Sequence, residues 1–104
     1  QLELKDGFAF LEAEVDECDY YVEGAGAERV NGYYTMEEKT MEGAPCYSNS
    51  HDILLFRYCL PSGNYWWYFS DKNGPFHSSE GDYYRVLSPE MRPPLTGWTL
   101  VGRG

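Results

Sequence analysis

No stretch of this sequence approaches the roughly 20 consecutive apolar residues that a bilayer-spanning helix needs. The apolar run Ile53-Leu54-Leu55-Phe56 is cut short by Arg57. Basic residues are scarce, 8 Lys and Arg against 17 Asp and Glu, for a net charge of -9. That balance excludes nucleic acid as a partner, because phosphate binding depends on clustered Lys and Arg. The two histidines, His51 and His77, and the three cysteines, Cys18, Cys46 and Cys59, stand at no recognised metal-ligand spacing and form no CxxC pair. No metal site and no cofactor are expected. An odd cysteine count argues against a complete disulfide framework and favours small buried thiols, with one bridge plus a free thiol as the alternative. A reducing compartment is mildly favoured.

Phosphate-cradling motifs are missing as well, since Gly24-Ala25-Gly26 is not followed by Lys-Ser/Thr. The acidic residues Glu12, Glu14, Asp16, Glu17 and Asp19 lack the twelve-residue calcium-loop pattern. Ser48, Ser50, His51 and Asp52 are close in sequence, but neighbours on a strand point to opposite faces, so they read as a polar loop rather than a triad. His77 to Asp82 reads as a polar turn in the same way. The chain is expected not to be an enzyme. It shows no targeting peptide and begins with Gln1, which reads as a processed piece whose targeting segment is gone. The compartment is therefore unknown, with an organelle one option.

Aromatic residues are what the chain has in quantity, at 17%. Each buries about 150–250 Å² when packed inside, so a sizeable core is within reach of one domain of 104 residues. Charge is unevenly spread. Residues 1–42 hold twelve acidic and three basic groups, whereas residues 43–104 hold five of each. This sets an acidic N-terminal segment, residues 1–17, apart from a β domain over residues 18–104. Leu4, Phe8, Leu11 and Val15 fall at helical spacing, which predicts a short amphipathic helix. Gly7 weakens that expectation, and the alternative is an extended arm with Phe8 and Phe10 on one side.

From Cys18 onward the sequence reads as strands and turns. Tyr20 to Val22, Gly32 to Met36, Cys46 to Ser48, Ile53 to Cys59, Tyr65 to Ser70, Tyr83 to Leu87 and Trp98 to Val101 are strand-like. Asn31-Gly32, Gly43-Ala44-Pro45, Leu60-Pro61-Ser62-Gly63-Asn64 and Pro93-Pro94 separate them. Six or seven short strands predict an all-β fold, a small antiparallel sandwich or partial barrel. Tyr47, Trp67 and Trp98 are expected in its core. Arg57, on an otherwise apolar strand, is expected to pair with a carboxylate such as Asp71 or Asp82, because a buried unpaired charge is costly.

Taken in order, Val22-Glu23-Gly24-Ala25-Gly26, Val30-Asn31-Gly32-Tyr33-Tyr34, Gly43-Ala44-Pro45-Cys46-Tyr47, Trp67-Tyr68-Phe69-Ser70-Asp71 and Pro93-Pro94-Leu95-Thr96-Gly97-Trp98 form a pattern. It resembles a Tyr/Trp-rich β module common in proteins of unicellular algae and other protists, over residues 20–102. The resemblance implies a compact β domain used as an accessory or interaction unit, sometimes repeated in larger proteins, and brings no catalytic residues. A single copy with an acidic leader points to a small subunit.

Alternation along Tyr65-Trp66-Trp67-Tyr68-Phe69 sends Trp66 and Tyr68 to the face opposite Trp67. Aromatics on both faces of a strand in so small a chain favour partner contact by Trp66 and Tyr68, with Tyr65, Phe8, Phe10 and the acidic Glu12, Glu14, Asp16 and Glu17 as further candidates. The expected function is a non-catalytic protein-interaction or scaffold module. One concrete form is an accessory subunit on the aqueous face of a larger complex, such as an organelle photosystem or respiratory complex. The alternative is a lectin-like carbohydrate-binding domain that stacks sugars on exposed aromatics near Asn64 and Asp71.

Overall fold

In a computed structural model that describes residues 4–5, 8–13, 18–72 and 82–101, every regular element but one is a strand. The strands are β1 (Leu4–Lys5), β2 (Phe8–Glu12), β3 (Tyr20–Glu23), β4 (Gly32–Met41), β5 (Ala44–Ser48), β6 (Ile53–Cys59), β7 (Tyr65–Asp71), β8 (Asp82–Leu87) and β9 (Thr99–Leu100). The exception is a single 3-10 turn, Glu28–Val30. Each strand pairs antiparallel with the next in the sequence, from β1 to β9, so the sheet is an uninterrupted meander. It curls into a half-barrel, and the all-β partial barrel read from the sequence is what forms.

Among the described residues nine strands form where six or seven are expected, and the additional pair is β1 and β2. Over the described residues the helical spacing near the N-terminus is overridden. Ala9 to Glu12 register against Glu23 to Tyr20, so this segment takes its backbone hydrogen bonds from β3 rather than from a helical turn. The contiguous pairing also removes what would have been a bare edge on β3.

Strand β4 bends the sheet. Its first residues, Gly32 to Tyr34, pair with β3, while Thr35 to Met41 pair with β5. One long strand thereby serves both halves of the curl. Between the pairs Met36–Tyr47 and Thr40–Pro45 it carries Glu37, Glu38 and Lys39 where β5 has only Cys46. Such a bulge raises the local twist and re-aims side chains. A smaller one sets Tyr83 of β8 between the pairs Phe69–Tyr84 and Ser70–Asp82.

The turns follow from their residues. Glu42 and Gly43 both take positive φ, 52° and 77°, in the two-residue connection between β4 and β5. That is the twist a tight hairpin needs. The Leu60 to Asn64 loop closes β6 and β7 with two backbone bonds, Gly63 N–H to the Leu60 carbonyl at 2.8 Å and Leu60 N–H to the Asn64 carbonyl at 2.9 Å.

The inner face of the curl holds the main core: Phe10, Tyr20, Val22 and Tyr34 from one half, and Tyr47, Ile53, Leu55, Trp67, Phe69 and Tyr84 from the other. Rings join the halves edge to face, Tyr34 on Phe69 at 5.4 Å and Tyr20 on Tyr47 at 5.1 Å. Trp98, carried in by the extended Pro93-Pro94 segment, packs on both Phe10 at 5.7 Å and Phe69 at 4.7 Å. Its indole N–H donates to the Pro94 carbonyl at 2.6 Å, so the buried ring leaves no unpaired donor.

Candidate interaction face on the outer side of the sheet

Alternation along β6, β7 and β8 sends a second set of side chains outward. Leu54 and Phe56 of β6, Tyr68 of β7 and Cys46 of β5 form a separate buried cluster, with Met41, Tyr58 and Trp66 packed against it. Registered pairs lay these residues in rows across the sheet. One row is Tyr58, Trp66 and Leu87, and the next is Phe56, Tyr68, Arg85 and Thr99.

The outward position expected for Trp66 and Tyr68 is what the sheet produces, but their exposure differs sharply. Tyr68 is 3% exposed and stacks on Phe56 at 5.7 Å, so it belongs to the outer cluster and offers little surface. Trp66 is half-buried, and the Arg85 guanidinium lies over its ring at 4.4 Å. Leu87, directly across from Trp66, is 56% exposed. Trp66, Arg85 and Leu87 together make a rim of large side chains around the buried outer cluster. Arg85 and Leu87 were missing from the residues singled out in the sequence, although the period of two along Tyr84-Arg85-Val86-Leu87 carries the signal.

The other candidates scatter. Tyr65 faces the inner side and lies under the Arg57 guanidinium at 4.3 Å. Phe10 is a core residue, not a contact residue, because β2 is zipped to β3 with Phe10 on its inner face. Glu12 is exposed and meets Arg92 at 3.4 Å. Glu14, Asp16 and Glu17, and the side chain of Phe8, lie outside the described residues. Tyr47, Trp67 and Trp98 are buried in the core as expected. Burial and the neighbouring Tyr20 hydroxyl push the Tyr47 phenol up to about 12.

Arg57 is buried, but not against a carboxylate. Its Nη1 donates to the Pro89 carbonyl at 2.6 Å and its Nη2 to the Glu42 carbonyl at 2.9 Å. Asp71 is out of reach because it registers with Ile53, four residues along β6, about 13 Å at strand rise. Asp71 instead binds Arg29 at 3.1 Å and accepts the Tyr83 hydroxyl at 3.2 Å. The Asp82 side chain lies outside the described residues. Arg57 thus clamps the β4–β5 turn to the Pro89–Glu90 segment, which also accepts the Trp67 indole N–H at 3.0 Å.

The loop read as polar filler around Ser48 to Asp52 contains a structural hub. Asn49 Nδ2 donates to the Arg29 carbonyl at 2.8 Å and the Asn31 carbonyl at 3.3 Å, and its Oδ1 accepts the backbone N–H groups of His51 and Ile53, both at 3.0 Å. Asn31 clasps Ala25 by both its amide atoms. The Ser48 hydroxyl donates to Glu37, away from His51. All three cysteines carry free thiols. Among the described residues there is no group of three or more His, Cys, Asp or Glu arranged to hold a metal, and no helix long and apolar enough to cross a membrane. Compared with known protein families, curated proteins and solved structures, the chain matches none of them.

Proposed function

We propose that the chain is a non-catalytic protein-interaction module, an accessory structural subunit that docks on the aqueous face of a larger assembly through Trp66, Arg85 and Leu87. The observation that carries this reading is the Arg85–Trp66 stack beside an exposed Leu87 on a sheet face that already bears an aromatic cluster. Trp, Tyr and Arg are the residues that dominate binding energy at protein interfaces, and an apolar neighbour excludes water around them.

Carbohydrate binding fits this face less well. One surface of the Trp66 ring is occupied by a guanidinium, where a sugar would stack. Asn64 and Asp71 flank opposite ends of β7, roughly 20 Å apart at strand rise, so one monosaccharide cannot use both. Asp71 is moreover engaged with Arg29 and Tyr83.

Gentle lysis of the native source, followed by native-mass measurement and identification of co-purifying chains, tests the proposal. A species larger than the 12.0 kDa chain is expected, and Leu87→Glu, at an exposed position, should release the partner while the melting temperature holds. Migration as a lone chain would sink the subunit reading. Quenching of Trp66 emission by added glycans would move the assignment to a lectin.

A further inference from the structure

The β4 bulge opens a cup on the outer side of the sheet, about 330 Å³ in volume, lined by Met41, Cys46 and Leu54 with Lys39, Thr40, Lys72 and Glu37. Three features give it the character of a small-ligand site. Its volume falls at the lower end of the roughly 300–1,000 Å³ of small-molecule pockets, and its lining presents more apolar than polar surface, with Glu37, Lys39, Thr40 and Lys72 beside Met41, Cys46 and Leu54. Its wall is built by the bulge, since Glu37, Glu38 and Lys39 stand opposite the single residue Cys46, whose thiol donates to the Lys39 carbonyl at 3.3 Å. Its charges are sorted: Glu37 is held by the Ser48 hydroxyl and by Lys72 at 3.1 Å, which keeps its carboxyl below the usual range and ionised. Lys72 is thereby paired, and Lys39, the other cation among the lining residues, leaves the cup with a net positive charge.

We propose that this cup binds a small amphiphile, an apolar chain of medium length ending in a carboxylate, with the chain on Met41, Cys46 and Leu54 and the carboxylate on Lys39. An apolar tail alone would gain the burial term only, whereas the acid adds a charge-assisted bond to an ammonium. The chain's net charge of -9 opposes an anion at long range, but at physiological salt that repulsion is screened beyond about 8 Å. A contact pair inside the cup is screened far less. Cys46 is not expected to react with the ligand, because burial and Glu37 raise its thiol above the ordinary value.

Methyl-labelled methionine gives the test its own controls. Met41 lines the cup, Met91 is exposed elsewhere, and Met36 is exposed beside the cup next to Glu37. The intact chain is titrated with octanoate, octanol and octylammonium while all three methyl resonances are followed. Octanoate should move Met41 saturably, by more than it moves the neighbouring Met36, and leave Met91 in place. Octanol should bind about tenfold more weakly, and octylammonium more weakly still. Lys39→Gln, which keeps the backbone carbonyl that Cys46 uses, should weaken octanoate about tenfold and leave octanol unchanged. The site is refuted by no saturable Met41 shift, by equal shifts of all three methyls, by octanol matching octanoate, or by Lys39→Gln leaving octanoate affinity unchanged.

Discussion

Replacing Asn49 tests whether one buried amide holds the 25–34 loop to the start of β6. Asn49→Ala removes the acceptor of two backbone N–H groups, those of His51 and Ile53, and the donor to the Arg29 and Asn31 carbonyls. Each buried group left unsatisfied costs about 1–3 kcal/mol, and water entering the vacated space recovers part of it. A net loss of about 2–5 kcal/mol is expected. Asn49→Asp is the sharper probe. It keeps the acceptor oxygen for His51 and Ile53 but turns a second oxygen toward two carbonyls. The carboxyl is then favoured in its protonated form, so its pKa in the fold rises above the unfolded value of about 3.9. A group raised in this way costs least below about pH 3.9, and the cost grows as pH climbs through the folded value. Urea titrations of wild type, Asn49→Ala and Asn49→Asp at pH 4 and pH 7.5 measure this. The Asp deficit relative to wild type should widen by at least about 1–2 kcal/mol at the higher pH, at 1.36 kcal/mol per unit of pKa difference, while the Ala deficit stays level. An Asp deficit that is flat or narrows with rising pH would refute the donor assignment. An Ala deficit under about 1 kcal/mol would refute the hub.

The two adjacent tryptophans of β7 should part company: Trp67→Ala costs about 3–5 kcal/mol by denaturant titration, whereas Trp66→Ala costs under about 2 kcal/mol, including about 0.5–1 for the stack with Arg85. Acrylamide quenching should report chiefly on Trp66, since Trp67 and Trp98 are buried. Glu42→Asn should stabilise by about 0.5–1 kcal/mol, because Glu42 holds φ 52° at a turn position that Asn tolerates and its carbonyl, which binds Arg57, is retained. Glu37 has its pKa lowered by Ser48 and Lys72, so its contribution is present above about pH 4.3 and lost as pH falls through the lower folded value. Stability curves between pH 5 and pH 2.5 should accordingly be shallower for Glu37→Gln than for wild type.

What the sequence made legible was the part decided by neighbours in the chain. The β6–β7 hairpin shows plainly in Ile53 to Cys59, the Pro61-Ser62-Gly63 turn and Tyr65 to Ser70, and the structure differs by one residue at its end. The core positions of Tyr47, Trp67 and Trp98 follow from size. What was not legible depended on distant segments. Phe8 to Glu12 carries helical and strand signals together, and pairing with Tyr20 to Glu23 decides between them. Tyr68 points outward as alternation requires, yet it is buried because the outer face has a cluster of its own. The partners of Arg57 are backbone carbonyls of Glu42, Pro89 and Glu90, and no residue type marks a carbonyl as an acceptor. The same blindness hid Asn49, four of whose five bonds run to backbone groups, two of them on the 29–31 segment about twenty residues away.

The meander has a consequence for the order of assembly. Every strand pair joins neighbours in the chain, so β structure can grow outward from the β6–β7 hairpin by short loop closures that cost little entropy at each step. The contacts that close the curl are different: Phe10 on Trp98 and Glu12 on Arg92, the latter 80 residues apart, join the two ends of the chain over the finished core. Contacts this distant in sequence are expected to form last, and stopped-flow kinetics check this: weakening Trp98 should speed unfolding while leaving the folding rate almost unchanged. The lifetime of the folded state is then set at the seam where the chain's ends meet.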